Sequence, residues 1–285
     1  MNLEEEKVIG IVGGMGPQAG LALLNRVVCH TQAVTDQQHL SAILMSFPKH
    51  IADRTAFLEG AVSTNPAYTI AAIIGKLERA GARVAGIACN TAHAPRIYEV
   101  ILAELARANS GVQLLNMPQE TCRYLRENQL PVRRIGLMTT NGTYKAGVYT
   151  HWLREWGYEA IIPDYDFQNQ IIHNMIYDPE YGIKSNPDKT TGRVNACVHK
   201  VFEFFKEKKA DAVILGCTEL SLVITGRKHG NMLLIDPTEI LAKALIREAT
   251  RDGSNASAGP PGSAAAMGEA GESARNGSRT TKYPR

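Results

Sequence analysis

The chain repeats itself, and the repeat is ordered. Ile9-Gly10-Ile11 leads to Gly16 and a segment containing Gly20, while Ile135-Gly136-Leu137 leads to Gly142 and a segment containing Gly147. Ala88-Cys89-Asn90-Thr91-Ala92-His93 returns as Gly216-Cys217-Thr218-Glu219-Leu220. Leu114-Leu115-Asn116-Met117-Pro118-Gln119-Glu120 is echoed by Leu233-Leu234-Ile235-Asp236-Pro237-Thr238-Glu239. Any α/β chain repeats strand, turn and helix, but matches in one order, cysteines included, argue for two related halves facing each other.

Each half reads as α/β. Val8–Val12, Ala42–Phe47, Val84–Ala88, Val112–Leu115, Ile135–Met138, Ala160–Ile162, Ala212–Leu215 and Met232–Ile235 are short apolar runs of strand character. Amphipathic stretches such as Pro66–Ala80, Ala94–Arg107 and Arg193–Lys208 lie between them. That alternation predicts mainly parallel sheets flanked by helices. The division expected is 1–117 with 224–252 as the first α/β domain and 118–223 as the second. Residues 253–285 contain no Val, Ile, Leu, Phe, Trp or Cys and are expected to form a disordered tail.

Composition narrows the function. A formal net charge of +3, with scattered basic residues, argues against nucleic acid as a partner. Met1–Lys7 is acidic without an apolar signal core, and no apolar run approaches the roughly 20 residues that span a bilayer, so a cytoplasmic protein is expected. The five cysteines are odd in number and lack Cys-x-x-Cys spacing, and the histidines show no paired metal spacing; neither a disulfide framework nor a metal site is expected. Cys29, Cys122 and Cys197 fall inside helix-like stretches and read as buried, inert residues. Cys89 and Cys217 differ because each ends a strand beside Gly, Asn or Thr.

Two thiols at equivalent strand ends suit chemistry that removes a proton from one face of a carbon and returns one to the other. A thiol, with an ordinary pKa of about 8.5, is a small base that amides, hydroxyls and cations stabilise as the thiolate. Asn90, Thr91 and Thr218 stand beside the cysteines and are candidates to hold an ammonium or a carboxylate, although Asn and Thr also favour turns and caps. Gly13-Gly14-Met15-Gly16-Pro17 allows a close backbone approach at a helix start, where amides would hold a carboxylate or phosphate. Gly14-x-Gly16-x-x-Ala19 loosely fits a dinucleotide fingerprint, but the second strand ends in Phe47-Pro48-Lys49-His50 without the expected acid, which disfavours a nucleotide.

Gly13–Pro17, Asp53-Arg54-Thr55, Cys89–His93, Tyr181-Gly182-Ile183-Lys184 and Gly216–Leu220, in that order, resemble the aspartate/glutamate racemase family, closer to its aspartate racemase branch. The resemblance spans about residues 8–250. It implies two pseudo-symmetric domains with an active-site cleft between them, no cofactor, a small amino-acid substrate and a homodimer. It also implies Cys89 and Cys217 as the catalytic pair, with Met15, Arg54, Asn90, Thr91, Lys184 and Thr218 at the substrate. Arg54 would grip a carboxylate with two parallel hydrogen bonds and Lys184 would add a compact charge. His93 and Glu219 are candidates to orient the thiols. Other enzymes of the same fold, of maleate isomerase, hydantoin racemase or arylmalonate decarboxylase type, remain open, the last disfavoured because a decarboxylase needs only one thiol. A non-catalytic amino-acid or anion sensor is the alternative of a different class.

Overall fold

In the computed structural model, which describes residues 6–186 and 189–251, each half of the repeat builds its own sheet. Strands β1 (Val8–Gly13), β2 (Ala42–Ser46), β3 (Ala82–Ile87) and β4 (Gln113–Leu115) pair in parallel in the order β2-β1-β3-β4. The second sheet comprises β5 (Arg134–Thr139), β6 (Glu159–Ile161), β7 (Ala212–Gly216), β8 (Lys228–His229) and β9 (Met232–Ile235), in the order β6-β5-β7-β9-β8. Only the two-residue β8 runs antiparallel to its neighbour. Replacing β1, β2, β3 and β4 by β5, β6, β7 and β9 reproduces the strand order, so the sequence repeat is a repeat of topology.

The central strands β1 and β7 are buried along their whole length, as expected of strands covered by helices on both faces. Close cover depends on small residues. A Cβ on Gly86 of β3 would lie 3.1 Å from both Leu241 Cδ2 and Leu245 Cδ1, and one on Gly136 of β5 would lie 2.6 Å from Phe205 Cδ1. The helices sit directly on the sheets at these points.

All eight expected strands are present, with ends moved by a residue or two. The expected division needs correcting at one segment. Met232–Ile235 pairs with β7 (Ala212↔Leu233, Val213↔Leu234, Ile214↔Ile235), and Lys228–His229 just before it pairs with Met232–Ile235, so both belong to the second sheet. Only the following helix, Pro237–Thr250, packs on β1 and β3 of the first, burying Leu241, Ala242 and Leu245 there. Cys122 is buried as expected, but Cys29 is exposed and Cys197 half-buried, because their helices present those positions outward. The tail expected at 253–285 lies outside the described residues. Among the described residues no helix is long and apolar enough to cross a membrane.

In both sheets the chain first adds a strand on one side and then crosses to the other, between β1 and β3 and between β5 and β7. Such reversals leave a crevice at the carboxyl ends of the strands. β1 delivers the Gly13–Pro17 loop to its crevice and β3 delivers Cys89; β5 delivers Thr140 and β7 delivers Cys217.

Candidate active site

Cys89 and Cys217 are both buried, and both line one small, narrow cavity. Met15, Arg54, Asn90, Thr91, Lys184 and Thr218 line it too, so every expected substrate contact meets there. Glu219 joins them, together with Thr140 and Tyr177.

Around Cys217 the groups form one network. The thiol donates to Glu219 Oε2 at 2.9 Å, and the Thr218 hydroxyl donates to the same oxygen at 3.2 Å. Lys184 Nζ donates to Glu219 Oε1, which also accepts from Gly16 N at 3.3 Å. The Gly16 amide at the start of helix Pro17–His30 therefore already faces a carboxylate, that of Glu219. Burial first, and then the Glu219 charge, push the Cys217 thiol well above its ordinary range and keep it protonated. Burial opposes the charges on Glu219 and Lys184, yet their pairing outweighs it: the Glu219 carboxyl is held below its ordinary value and the Lys184 ammonium above.

The Cys89 side differs. Arg54 sits in the first turn of helix Arg54–Leu58, whose N-cap Asp53 accepts from Ala56 N at 2.8 Å. Its guanidinium donates to Met15 O at 3.0 Å and Ala52 O at 3.3 Å, while Nε is buried without a partner. Burial works against the Arg54 charge, but Cys89, Tyr177 and Asp53 more than compensate and raise its pKa. Asn90 Nδ2 is likewise buried and unpartnered. Two orphaned donors in residues lining one cavity suit an anionic ligand, since buried polar groups are rarely left unsatisfied. Thr91, from the first half, hydrogen-bonds across the halves to Thr140 (3.0 Å) and Thr143 (2.9 Å).

The model of the family described as Asp/Glu/Hydantoin racemase matches residues 12–245. The chain belongs to the Asp/Glu/hydantoin racemase family. It is 26% identical over 254 residues to the broad specificity amino-acid racemase RacX of Bacillus subtilis (strain 168), covering 84% of this chain and 96% of that one. Its structure resembles that of Picrophilus torridus aspartate racemase, with a TM-score of 0.70 and 30% identity over 85% of this chain and 94% of that one. An aspartate racemase homologue from Pyrococcus horikoshii shares the fold at 23% identity and a TM-score of 0.64, covering 86% of this chain and all 100% of that one.

Within this racemase fold the two orienting candidates separate. Glu219 touches its thiol. His93 does not: its Nδ1–H donates to the Cys89 carbonyl at 2.9 Å, and its Nε2 accepts from Met117 N at 3.3 Å. Complete burial pushes its pKa down to about 4, so it stays neutral and braces the backbone beneath Cys89. No group of three or more His, Cys, Asp or Glu that could hold a metal ion occurs among the described residues.

Tyr177 and Thr140 were not anticipated. Thr140 had a signal, because it follows β5 as the Gly13–Pro17 loop follows β1. Tyr177 had none. It ends a helix interrupted by a π-helical turn, Gln168–His173, and its hydroxyl reaches Asp53 Oδ2 at 3.2 Å while Lys184 Nζ lies 5.3 Å from its ring centroid. A tyrosine at a helix end looks like any core aromatic until tertiary structure brings Asp53 to it.

Proposed function

We propose that the chain is a cofactor-independent amino-acid racemase, acting on aspartate or a related amino acid and using Cys89 and Cys217 as its two proton-transfer groups. The observation that carries this reading is that the paired strand ends of the two halves bring both thiols to one cavity walled by Arg54, Lys184 and unpartnered donors. The substrate carboxylate would take the free donors of Arg54 and Asn90, which also stabilise the negative charge that grows on it as Cα loses its proton. In one direction Cys89, as thiolate, takes the α-proton, so that a Cα–H bond breaks and an S–H bond forms. Cys217 gives its thiol proton to the opposite face, and the new Cys217 thiolate lies beside Lys184. The reverse direction exchanges the roles. Glu219 holds Cys217 in its thiol form before the transfer.

The two halves act as the domains of this site, with helix Pro237–Thr250 joined to the first, and the protein works as a homodimer. No step calls for pyridoxal phosphate; activity that vanished on dialysis and returned with that cofactor would overturn the reading. The direct test is α-proton exchange from heavy water across a panel of amino acids. The wild type should incorporate deuterium and racemise. Cys89→Ala and Cys217→Ala should each abolish racemisation while keeping one-sided exchange of opposite enantiomers. Near-normal racemisation by Cys217→Ala would refute the paired-thiol mechanism, and binding without exchange would identify a sensor.

A further inference from the structure

Between the two cysteine motifs stands a side chain that belongs to neither. Tyr149, on helix Val148–Glu155 of the second half, is 1% exposed. Its ring lies against the end of β7: a Cβ on Gly216, the residue before Cys217, would stand 3.3 Å from Tyr149 Cε2. Its hydroxyl donates to Oδ1 of Asn90, the residue after Cys89. One side chain therefore touches both motifs, and so both halves.

The hydrogen bond has a direction. A primary amide offers an acceptor end and a donor end, and a phenol that donates selects the acceptor. With Oδ1 engaged by Tyr149, Asn90 keeps Nδ2 free, and that nitrogen is buried without a partner in a residue lining the cavity. Burial raises the ionisation of Tyr149 far above the ordinary range, so the hydroxyl remains a donor. Packing alone would not call for that hydroxyl, since phenylalanine fills the same space.

We infer that Tyr149 is a positioning residue: through its hydroxyl it turns the Asn90 amide so that the NH₂ end faces the substrate carboxylate, and through its ring it seats the Gly216 turn that carries Cys217. The part played at the substrate rests on the racemase reading; the coupling between Tyr149 and Asn90 does not.

The test is a double-mutant cycle of Tyr149→Phe and Asn90→Ala in the full chain, read by α-proton exchange with kcat and KM resolved. Tyr149→Phe should lower kcat/KM about tenfold, the size expected of one buried hydrogen bond, and should do little more once Asn90 is alanine. Because the ring is kept, the fold should survive; if melting is lowered, the cycle is run well below the midpoint. Unchanged kcat/KM in Tyr149→Phe, or the same loss in both backgrounds, would overturn the inference. If the wild type exchanges no amino acid, the racemase reading fails instead. Site-resolved alkylation of Cys89 by iodoacetamide then decides: Tyr149→Phe must change its rate, and Asn90→Ala must cancel that change. Equal rates in wild type and Tyr149→Phe would overturn the coupling itself.

Discussion

Replacing Glu219 by glutamine should make the protein less stable and Cys217 more reactive at once. The Glu219 carboxylate accepts from Cys217, Thr218, Gly16 and Lys184, and its side chain is 5% exposed against 22% for Lys184. Glutamine keeps the shape and an acceptor oxygen but leaves the Lys184 charge unopposed. Removing one partner of a buried pair costs about 3–5 kcal/mol. Because Lys184 retains some solvent, the lower end, about 3 kcal/mol, is expected. At roughly 2–4 °C per kcal/mol for a unit of this size, the melting temperature should fall by about 6–12 °C.

The loss should depend on pH. The Glu219 contribution is present above its ordinary value of 4.5 and is lost as pH falls through the depressed folded value; that of Lys184 is present below 10.5 and is lost as pH rises through its elevated one. The difference from wild type should therefore be largest between those limits and shrink in acid. At the thiol, burial remains but the Glu219 charge is gone, so Lys184 alone acts on Cys217 and favours the thiolate. Iodoacetamide should label Cys217 faster near neutral pH, with buried Cys122 as the control for general loosening. Slower or unchanged labelling of Cys217, with an unchanged melting temperature, would refute the network.

Arg54→Lys should cut kcat/KM for exchange by tenfold or more, despite the retained charge, because a single ammonium nitrogen cannot reproduce the planar fork that reaches Ala52 O and Met15 O from two separate nitrogens and still aims Nε elsewhere; steady-state kinetics decide it. Gly136→Ala should lower stability by about 1–3 kcal/mol in denaturant titrations while sparing exchange, since its Cβ would strike the Phe205 ring away from the cavity. His93→Gln should flatten the acid loss of stability. With a folded pKa of about 4 against an ordinary 6.5, neutral His93 contributes fully above pH 6.5, and about 3 kcal/mol should drain away between pH 6.5 and 4. A wild-type stability curve that is flat over that range would contradict its buried neutral state.

What the sequence determined by itself was local. Apolar runs bounded by Gly, Asn and Thr mark β1, β3, β5 and β7, and the ordered repeat carries through to matching strand orders, because a strand buried on both faces writes its burial into consecutive residues. The motifs around Cys89 and Cys217 were legible because each ends such a strand, whereas Arg54 and Lys184 stood out only through the resemblance to the racemase family. What only the tertiary structure decided is everything that joins distant segments. Pro237–Thr250 looks in sequence like any helix after a strand, yet its apolar stripe is buried on the first sheet, while β9 immediately before it pairs in the second. Glu219 with Lys184, Tyr177 with Asp53, and Tyr149 with Asn90 are pairs whose partners lie far apart in the chain or on opposite halves. A side chain's periodicity tells whether it is buried; which charge or hydroxyl it meets depends on how the strand ends converge, and no residue's near neighbours record that.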